Sequence, residues 1–129
     1  MGTNFYLHTT DKKTCEKWFL YGEYSLTDRP MFGYEIHIAK TSCGWKPLFE
    51  AHDNMKSVRA LKNIFNSGGF RIFDEYGEEY TLEEFQKRVI DWNKDNPEAI
   101  SHPEYENGRW RRDFFIDDDG YEFMKTEFC

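Results

Sequence analysis

The sequence predicts a single α+β domain over residues 1–129, with two helices packed on a mostly antiparallel sheet and a C-terminal hairpin. Three observations support this class: segments of alternating apolar and polar residues, two stretches with helical spacing of apolar residues, and turn residues between them. A chain of 129 residues is long enough for one domain with a substantial core and too short for two comfortable ones.

Two early segments, residues 3–9 and 34–40, alternate in polarity and are predicted to be strands. Residues 45–51 are expected to return as the hairpin partner of the second strand. Because Pro47 cannot donate a hydrogen bond to a neighbouring strand, we expect this return strand at an edge or with a bulge. Residues 15–24 are rich in aromatic side chains without a clear period, and we assign them as strand or irregular structure.

A first helix is predicted to start at a cap provided by Asp53 or Asn54 and to end near Asn66. Gly68 and Gly69 then provide the usual C-terminal stop. Its apolar stripe is expected to consist of Val58, Leu61, Phe65 and the neighbouring Ile64.

The stretch 70–92 is predicted to hold a short strand, a tight acidic turn at Gly77 and a second helix. Thr81 and Glu84 have the spacing of a capping box, in which each side chain accepts from the backbone amide of the other. The apolar residues that follow recur at helical spacing and are expected to face the sheet: Leu82, Phe85, Val89 and Trp92.

The last part of the chain is predicted to form a long loop and then a hairpin. Residues 93–108 contain two prolines and no periodicity, and long loops in compact domains are often functional or mobile. Residues 111–117 and 121–128 are expected to pair across the turn that contains Gly120.

The net charge of −7 is distributed unevenly along the chain. Residues 1–69 carry nine basic and seven acidic side chains, a formal charge of +2, whereas residues 70–129 carry eight and seventeen, a formal charge of −9. This asymmetry argues against direct binding to a nucleic-acid backbone, and it permits an acidic face that docks on a basic groove. The more common explanation for such a surface is solubility.

Two acidic clusters at predicted hairpin tips are the candidate partner-binding residues, because hairpin tips leave side chains accessible. They consist of Asp74, Glu75, Glu78 and Glu79 in one turn, and Asp117, Asp118 and Asp119 in the other. We interpret them as a phosphate-mimicking surface for a basic groove in a partner protein. No catalytic residue, metal ligand or cofactor is assigned.

An alternative site involves His37, Cys43 and His52, which converge if the hairpin of residues 34–51 forms. Imidazole and thiolate would suit zinc, and a thiolate beside a histidine would suit nucleophilic catalysis. The alternative function is therefore a small metal-binding or thiol-dependent enzyme domain. The three cysteines contain no CxxC pair, and the start of the chain lacks the order of a signal peptide, so we expect free thiols in a reducing cytoplasm. No apolar run approaches the roughly 20 residues of a membrane helix.

Four sequence blocks, spread over nearly the whole chain, are MGTNFYLH at the start, EIHIAKTSCGW at 35–45, IFDEYGEEYTLEEF at 72–85, and GYEF with EFC at the end. In this order they resemble a group of small uncharacterised bacteriophage and prophage proteins with MGTNYY, HIGKSSxGW-like, DEYG and GEF-type blocks. Those relatives usually carry a CxxC knuckle, of which only Cys15 is matched here. If that knuckle binds zinc in the relatives, this chain is expected to lack the site.

The resemblance implies a phage gene expressed in a bacterial cytoplasm. Small accessory phage proteins often disable host machinery by binding to it. We therefore expect an inhibitor of a host defence or nucleic-acid-processing protein, of the anti-CRISPR or anti-restriction type. The expected partner is a host protein such as a nuclease, with no direct contact to nucleic acid or membrane.

Overall fold

One eight-stranded sheet organises the chain. The computed structural model describes residues 2–28, 30–92, 97–102 and 113–126. The elements are β1 (Gly2–Thr9), α1 (Lys12–Trp18), β2 (Ser25–Thr27), β3 (Gly33–Ser42), β4 (Leu48–Glu50), α2 (Val58–Asn66), β5 (Arg71–Asp74), β6 (Glu79–Tyr80), α3 (Leu82–Phe85), β7 (Phe114–Ile116) and β8 (Glu122–Met124). α3 continues directly as a π-helical turn, Gln86–Ile90. The predicted α+β class is confirmed.

The strands follow the spatial order β6-β5-β1-β3-β4-β8-β7, and β2 pairs with β3 beside this path. Every pairing between these strands is antiparallel except β4 with β8, which run parallel. The C-terminal hairpin of β7 and β8 therefore extends the sheet beyond β4. The predicted hairpin is confirmed, whereas its parallel attachment to β4 had no signal in the sequence.

One face of the sheet is apolar and carries the core. Phe5 and Leu7 of β1 lie opposite Ala39 and Ile36 of β3, and all four are fully buried. The ring of Phe85 from α3 packs edge-on against Phe5 at 5.5 Å between ring centroids. α2 adds three buried residues to the same core, Val58, Leu61 and Ile64. The alternate residues of the central strands lie on the opposite face of the sheet.

The prediction that the return strand of residues 45–51 lies at an edge or carries a bulge is wrong. β4 is an interior strand, between β3 and β8. Pro47 lies immediately before Leu48, the first residue of β4, so its missing amide removes no hydrogen bond from the ladder.

The assignment of residues 15–24 as strand or irregular is wrong at its start, because α1 covers Lys12–Trp18. Asp11 caps this helix, with its carboxylate accepting from the backbone amide of Thr14 at 3.3 Å and from the Thr14 hydroxyl at 2.6 Å. Cys15 is the buried residue of this short helix. With one buried position there is no apolar period to detect, and only the cap offered a signal.

The predicted start of α2 is also wrong, since Ser57 and not Asp53 or Asn54 is the N-cap. The Ser57 hydroxyl accepts from the backbone amide of Ala60 at 3.0 Å. Residues 52–55 instead form a tight turn, closed by reciprocal backbone hydrogen bonds between His52 and Met55.

The capping box of α3 is confirmed. The Thr81 hydroxyl accepts from the Glu84 amide at 3.0 Å, and the Glu84 carboxylate accepts from the Thr81 amide at 2.8 Å. Gly77 in the preceding turn has φ of +84°, which favours glycine. The π-helical turn shifts the phase of the side chains, so the adjacent Val89 and Ile90 are both fully buried.

The predicted loop of residues 93–108 lies partly outside the described residues. Within residues 97–102, Ile100 forms a parallel bridge to Trp45, and Ser101 is buried. This segment therefore packs beside the 41–47 turn. No helix among the residues that the structure describes is both long and apolar enough to cross a membrane.

We predict that Phe85→Ala lowers the free energy of unfolding by about 3–5 kcal/mol, the usual cost of emptying an aromatic core position. Denaturant unfolding followed by circular dichroism measures the change. Glu83→Ala on the exposed side of the same helix is the control and should change stability by about 0.5 kcal/mol or less. A Phe85→Ala loss of under about 1 kcal/mol would contradict the placement of α3 against β1.

Candidate binding cleft

A cleft of about 910 Å³ opens on the polar face of the sheet. It is bordered by β1 and β3, whose cleft-lining residues alternate with the core residues, and by the chain after β4. Its lining consists of Asn4, Tyr6, Gly22, Glu23, Ser25, Glu35, His37, Glu50, Ala51, His52, Asp53, Lys56, Phe115 and Lys125. The volume is within the range of small-ligand sites, roughly 300–1,000 Å³.

A hydrogen-bonded carboxylate lies between two imidazoles at the wall of this cleft. Glu50 is 6% exposed, with Oε1 at 2.9 Å from His37 Nδ1 and Oε2 at 3.3 Å from His52 Nε2. A buried carboxylate needs such partners, because an unpaired charge away from water is costly. The cluster links β3, β4 and the turn that follows β4.

The second ring nitrogen of His37 also faces an acceptor. His37 Nε2 is 2.9 Å from Asn4 Oδ1, while the Asn4 amide nitrogen points to Glu75 Oε1 at 3.3 Å. Both nitrogens of His37 therefore face oxygen acceptors, and both contacts are hydrogen bonds only when both nitrogens carry a proton. Both nitrogens are occupied by these contacts, so His37 is placed to hold Glu50 and Asn4 rather than to act as a general base.

His52 has a different environment. Its Nε2 is 2.7 Å from the backbone oxygen of His37 and 3.3 Å from Glu50 Oε2, so Nε2 is the donor. The ring packs edge-on against Phe19. Its Nδ1 lies 3.9 Å from Glu23 Oε1, which is beyond hydrogen-bonding distance.

Glu23 is held by two backbone amides. Its Oε2 accepts from the Leu20 amide at 2.7 Å, and its Oε1 accepts from the Asp53 amide at 2.9 Å. These bonds fasten the loop before β2 to the turn after β4, and they fix the Glu23 carboxylate at the edge of the cleft.

The structure brings together two of the three residues of the alternative site. His37 and His52 meet through Glu50, whereas Cys43 is exposed in the turn after β3 and does not line the cleft. No group of three or more His, Cys, Asp or Glu side chains arranged to hold a metal ion occurs within residues 2–28, 30–92, 97–102 and 113–126. The residues that sequence reasoning missed are Glu23, Glu50 and Asn4. Asn4 and Glu50 could have been predicted from the sequence, because pairing of the predicted strands places both residues beside His37.

Asp74, one of the candidate partner-binding residues, is buried and structural. Its Oδ1 accepts from the amides of Tyr76 and Glu78 at 2.9 and 3.0 Å, and its Oδ2 accepts from the Tyr80 hydroxyl at 2.8 Å. Burial and then this hydrogen bond raise the pKa of Tyr80 to about 12. Asp74 therefore stabilises the turn. Its side chain is only 6% exposed and is not accessible to a partner, contrary to the prediction.

Asp117 has a similar structural role in the second turn. Its Oδ2 accepts from the amide of Val58 at the start of α2, and its Oδ1 accepts from the amides of Asp119 and Tyr121. The exposed Asp119 pairs with Arg59 at 3.1 Å. Asp118 is exposed and makes no such bond to another of the described residues.

The first turn keeps three exposed carboxylates. Glu79 pairs with Arg71 at 3.0 Å, and Glu75 accepts from the backbone amide of Asn4 at 2.8 Å. Glu78 is exposed as well. The accessible part of the candidate surface is therefore smaller than the sequence indicated and consists of Glu75, Glu78, Glu79, Asp118 and Asp119.

Comparison of the chain with protein-family models, with curated proteins and with solved structures finds no match in any of the three. The resemblance of its sequence blocks to phage proteins stays a prediction.

We predict that Cys43 reacts with iodoacetamide in the native protein at pH 8, whereas Cys15 does not. Burial raises the pKa of the Cys15 thiol to about 12, so at pH 8 it is both protonated and inaccessible. Peptide mapping by mass spectrometry separates the cysteines. Labelling in denaturant is the control and should modify Cys15 fully. Equal native labelling of Cys15 and Cys43 would contradict the burial of the Cys15 side chain in α1.

Proposed function

We propose that the protein is a phage-encoded accessory protein that inhibits a host defence or nucleic-acid-processing protein by binding to it, in the bacterial cytoplasm. The partner surface is a basic groove that normally holds nucleic acid. The observation that supports this most is the placement of exposed carboxylates at two turns of an acidic C-terminal half. The expected resemblance of the sequence blocks to phage proteins supplies the biological context.

The directions of the strands place the two acidic turns at the same end of the sheet. β5 and β7 run in the same direction, as follows from the antiparallel and parallel pairings that connect them. The turns that follow β5 and β7 therefore leave the sheet at the same end, one at each edge. Five strand spacings separate the two strands, roughly 24 Å at about 4.8 Å each. Two anionic tips at this separation suit an elongated basic groove better than a small pocket.

The accessible carboxylates divide into paired and unpaired groups. Glu79 and Asp119 are neutralised by Arg71 and Arg59, and these pairs are exposed to solvent and screened by salt. Glu78 and Asp118 keep their charge for a partner. Electrostatic complementarity of this kind acts mainly on association rate and on choice of partner.

The cleft favours binding over chemistry. The nitrogens of His37 are occupied by Glu50 and Asn4, and the thiol of Cys43 lies outside the cleft. The alternative of a thiol-dependent enzyme needs a sulfur beside an imidazole with an available lone pair. The described geometry holds these groups apart.

We predict that Glu78→Lys with Asp118→Lys slows association with the captured host partner by roughly tenfold at 0.1 M salt. The wild-type rate should fall as the screening length shrinks from about 10 Å at 0.1 M to about 3 Å at 1 M salt. The partner is first isolated by pull-down from the bacterial host. Stopped-flow or surface-based kinetics over a salt series then measures both proteins.

The matched control is Glu16→Lys with Asp53→Lys, which makes the same change in net charge at exposed positions in α1 and in the turn after β4. It should keep most of the wild-type association rate. Unfolding curves of all three proteins should agree, because exposed charges contribute little to stability. Equal rates for wild type and the Glu78/Asp118 variant, without dependence on salt, would exclude the acidic surface as the docking site.

A further inference from the structure

The cleft contains two hydrogen-bond acceptors that face each other without a donor between them. His52 Nε2 donates to the His37 backbone oxygen, so in the neutral ring Nδ1 presents a lone pair. Among the described residues Nδ1 has no hydrogen-bond partner, and Glu23 Oε1 lies 3.9 Å away. The His52 side chain is 3% exposed, but Nδ1 itself is not sealed from the cleft, so a donor group of a ligand can reach it. A ligand donor at this position would replace the few contacts with water that the acceptor can make.

The distance between the two acceptors determines which kind of donor group could bridge them. Hydrogen bonds from nitrogen to oxygen or nitrogen are about 2.9 Å long. One nitrogen at this distance from both His52 Nδ1 and Glu23 Oε1 fits between acceptors 3.9 Å apart. It must carry at least two hydrogens that point to different acceptors. A primary ammonium meets this requirement with three donors and no acceptor.

The charge of the cleft favours the same ligand. Four carboxylates line it against two lysines, and the Glu50 carboxylate lies on the far side of His52. Glu23 is prevented from turning away, because both of its oxygens accept backbone amides. The acceptor pair is thus preorganised, which reduces the entropy lost on binding.

The geometry points to a binding site for a primary ammonium, such as the side chain of a lysine in a peptide or a small primary amine. The ammonium would sit between His52 Nδ1 and Glu23 Oε1. The cleft of about 910 Å³ also has room for the chain that bears the ammonium. The site is on the sheet face and uses neither acidic turn, so it goes beyond the proposed inhibitor function and is tested without any partner protein.

The test is a titration of the purified chain with N-acetyl-lysine methylamide, followed by ¹⁵N NMR and calorimetry. We expect a dissociation constant on the order of 1 mM, typical of one charged group in an open cleft. The His52 Nδ1 resonance should shift as its lone pair accepts a hydrogen bond. The matched probe is the same compound acetylated at Nε, which removes the charge, and it should bind at least about tenfold more weakly.

Two variants locate the site. Glu23→Gln removes one carboxylate and should weaken binding of the lysine probe about tenfold. Glu83→Gln, the same change on α3, should leave it unchanged. Because Glu23 also holds two backbone amides, Ser25→Lys is the second variant. It keeps every acceptor and places a tethered ammonium at the exposed rim of the cleft, so it should compete with the probe and abolish its binding.

Three results would overturn the assignment. The first is no binding of the lysine probe at tens of millimolar, well above the expected dissociation constant, which would leave a bridging water as the occupant. The second is equal binding of the charged and acetylated probes. The third is binding without a shift at His52 Nδ1, or binding that survives Ser25→Lys, which would place the ammonium elsewhere. None of these results bears on the partner-binding proposal, which depends on Glu78 and Asp118.

Discussion

The pairing of β1 with β3 at the centre of the sheet is the constraint on which the rest of the structure depends. Its register places Phe5 and Leu7 on the helix side, where they are fully buried, and leaves Tyr6 opposite His37 on the other side. A one-residue slip would exchange these faces. The register shift between Phe5 and Tyr6 marks a bulge in β3, which places the adjacent Ile38 and Ala39 both in the core while His37 stays on the cleft face.

The cleft depends on that register and on the buried carboxylate of Glu50. β4 pairs with β3 so that Glu50 reaches His37, and the turn after β4 brings His52 to the second oxygen of the same carboxylate. Removing one partner of such a group leaves a buried charge unpaired, so the three side chains stabilise one another. In the same arrangement both nitrogens of His37 contact oxygen atoms of Glu50 and Asn4. His52 Nδ1 has no hydrogen-bond partner among the described residues and lies 3.9 Å from Glu23 Oε1.

Local signals predicted the fold well where they were strong. The capping box of Thr81 and Glu84 and the alternation of β1 and β3 are encoded within a few residues, and the structure has them as predicted. α1 was missed because a short helix with a single buried residue shows no period. The site was harder to predict, since the pairing of Asp74 with Phe5 of β1 and the approach of Glu23 to His52 join residues distant in sequence. A carboxylate in an acidic turn looks the same in sequence whether it faces solvent or supports the turn.

We propose that the protein acts by binding through the acidic end of its sheet. Hydrogen exchange of the chain, free and in complex with the captured host protein, tests this most directly. We expect slower exchange of backbone amides at residues 74–79 and 117–120, and at Val58 and Arg59, which contact the second turn. The rest of α2 and all of α3, which pack on the core face of the sheet, should change little. Protection confined to the helices, with both turns exchanging as in the free chain, would contradict this proposal.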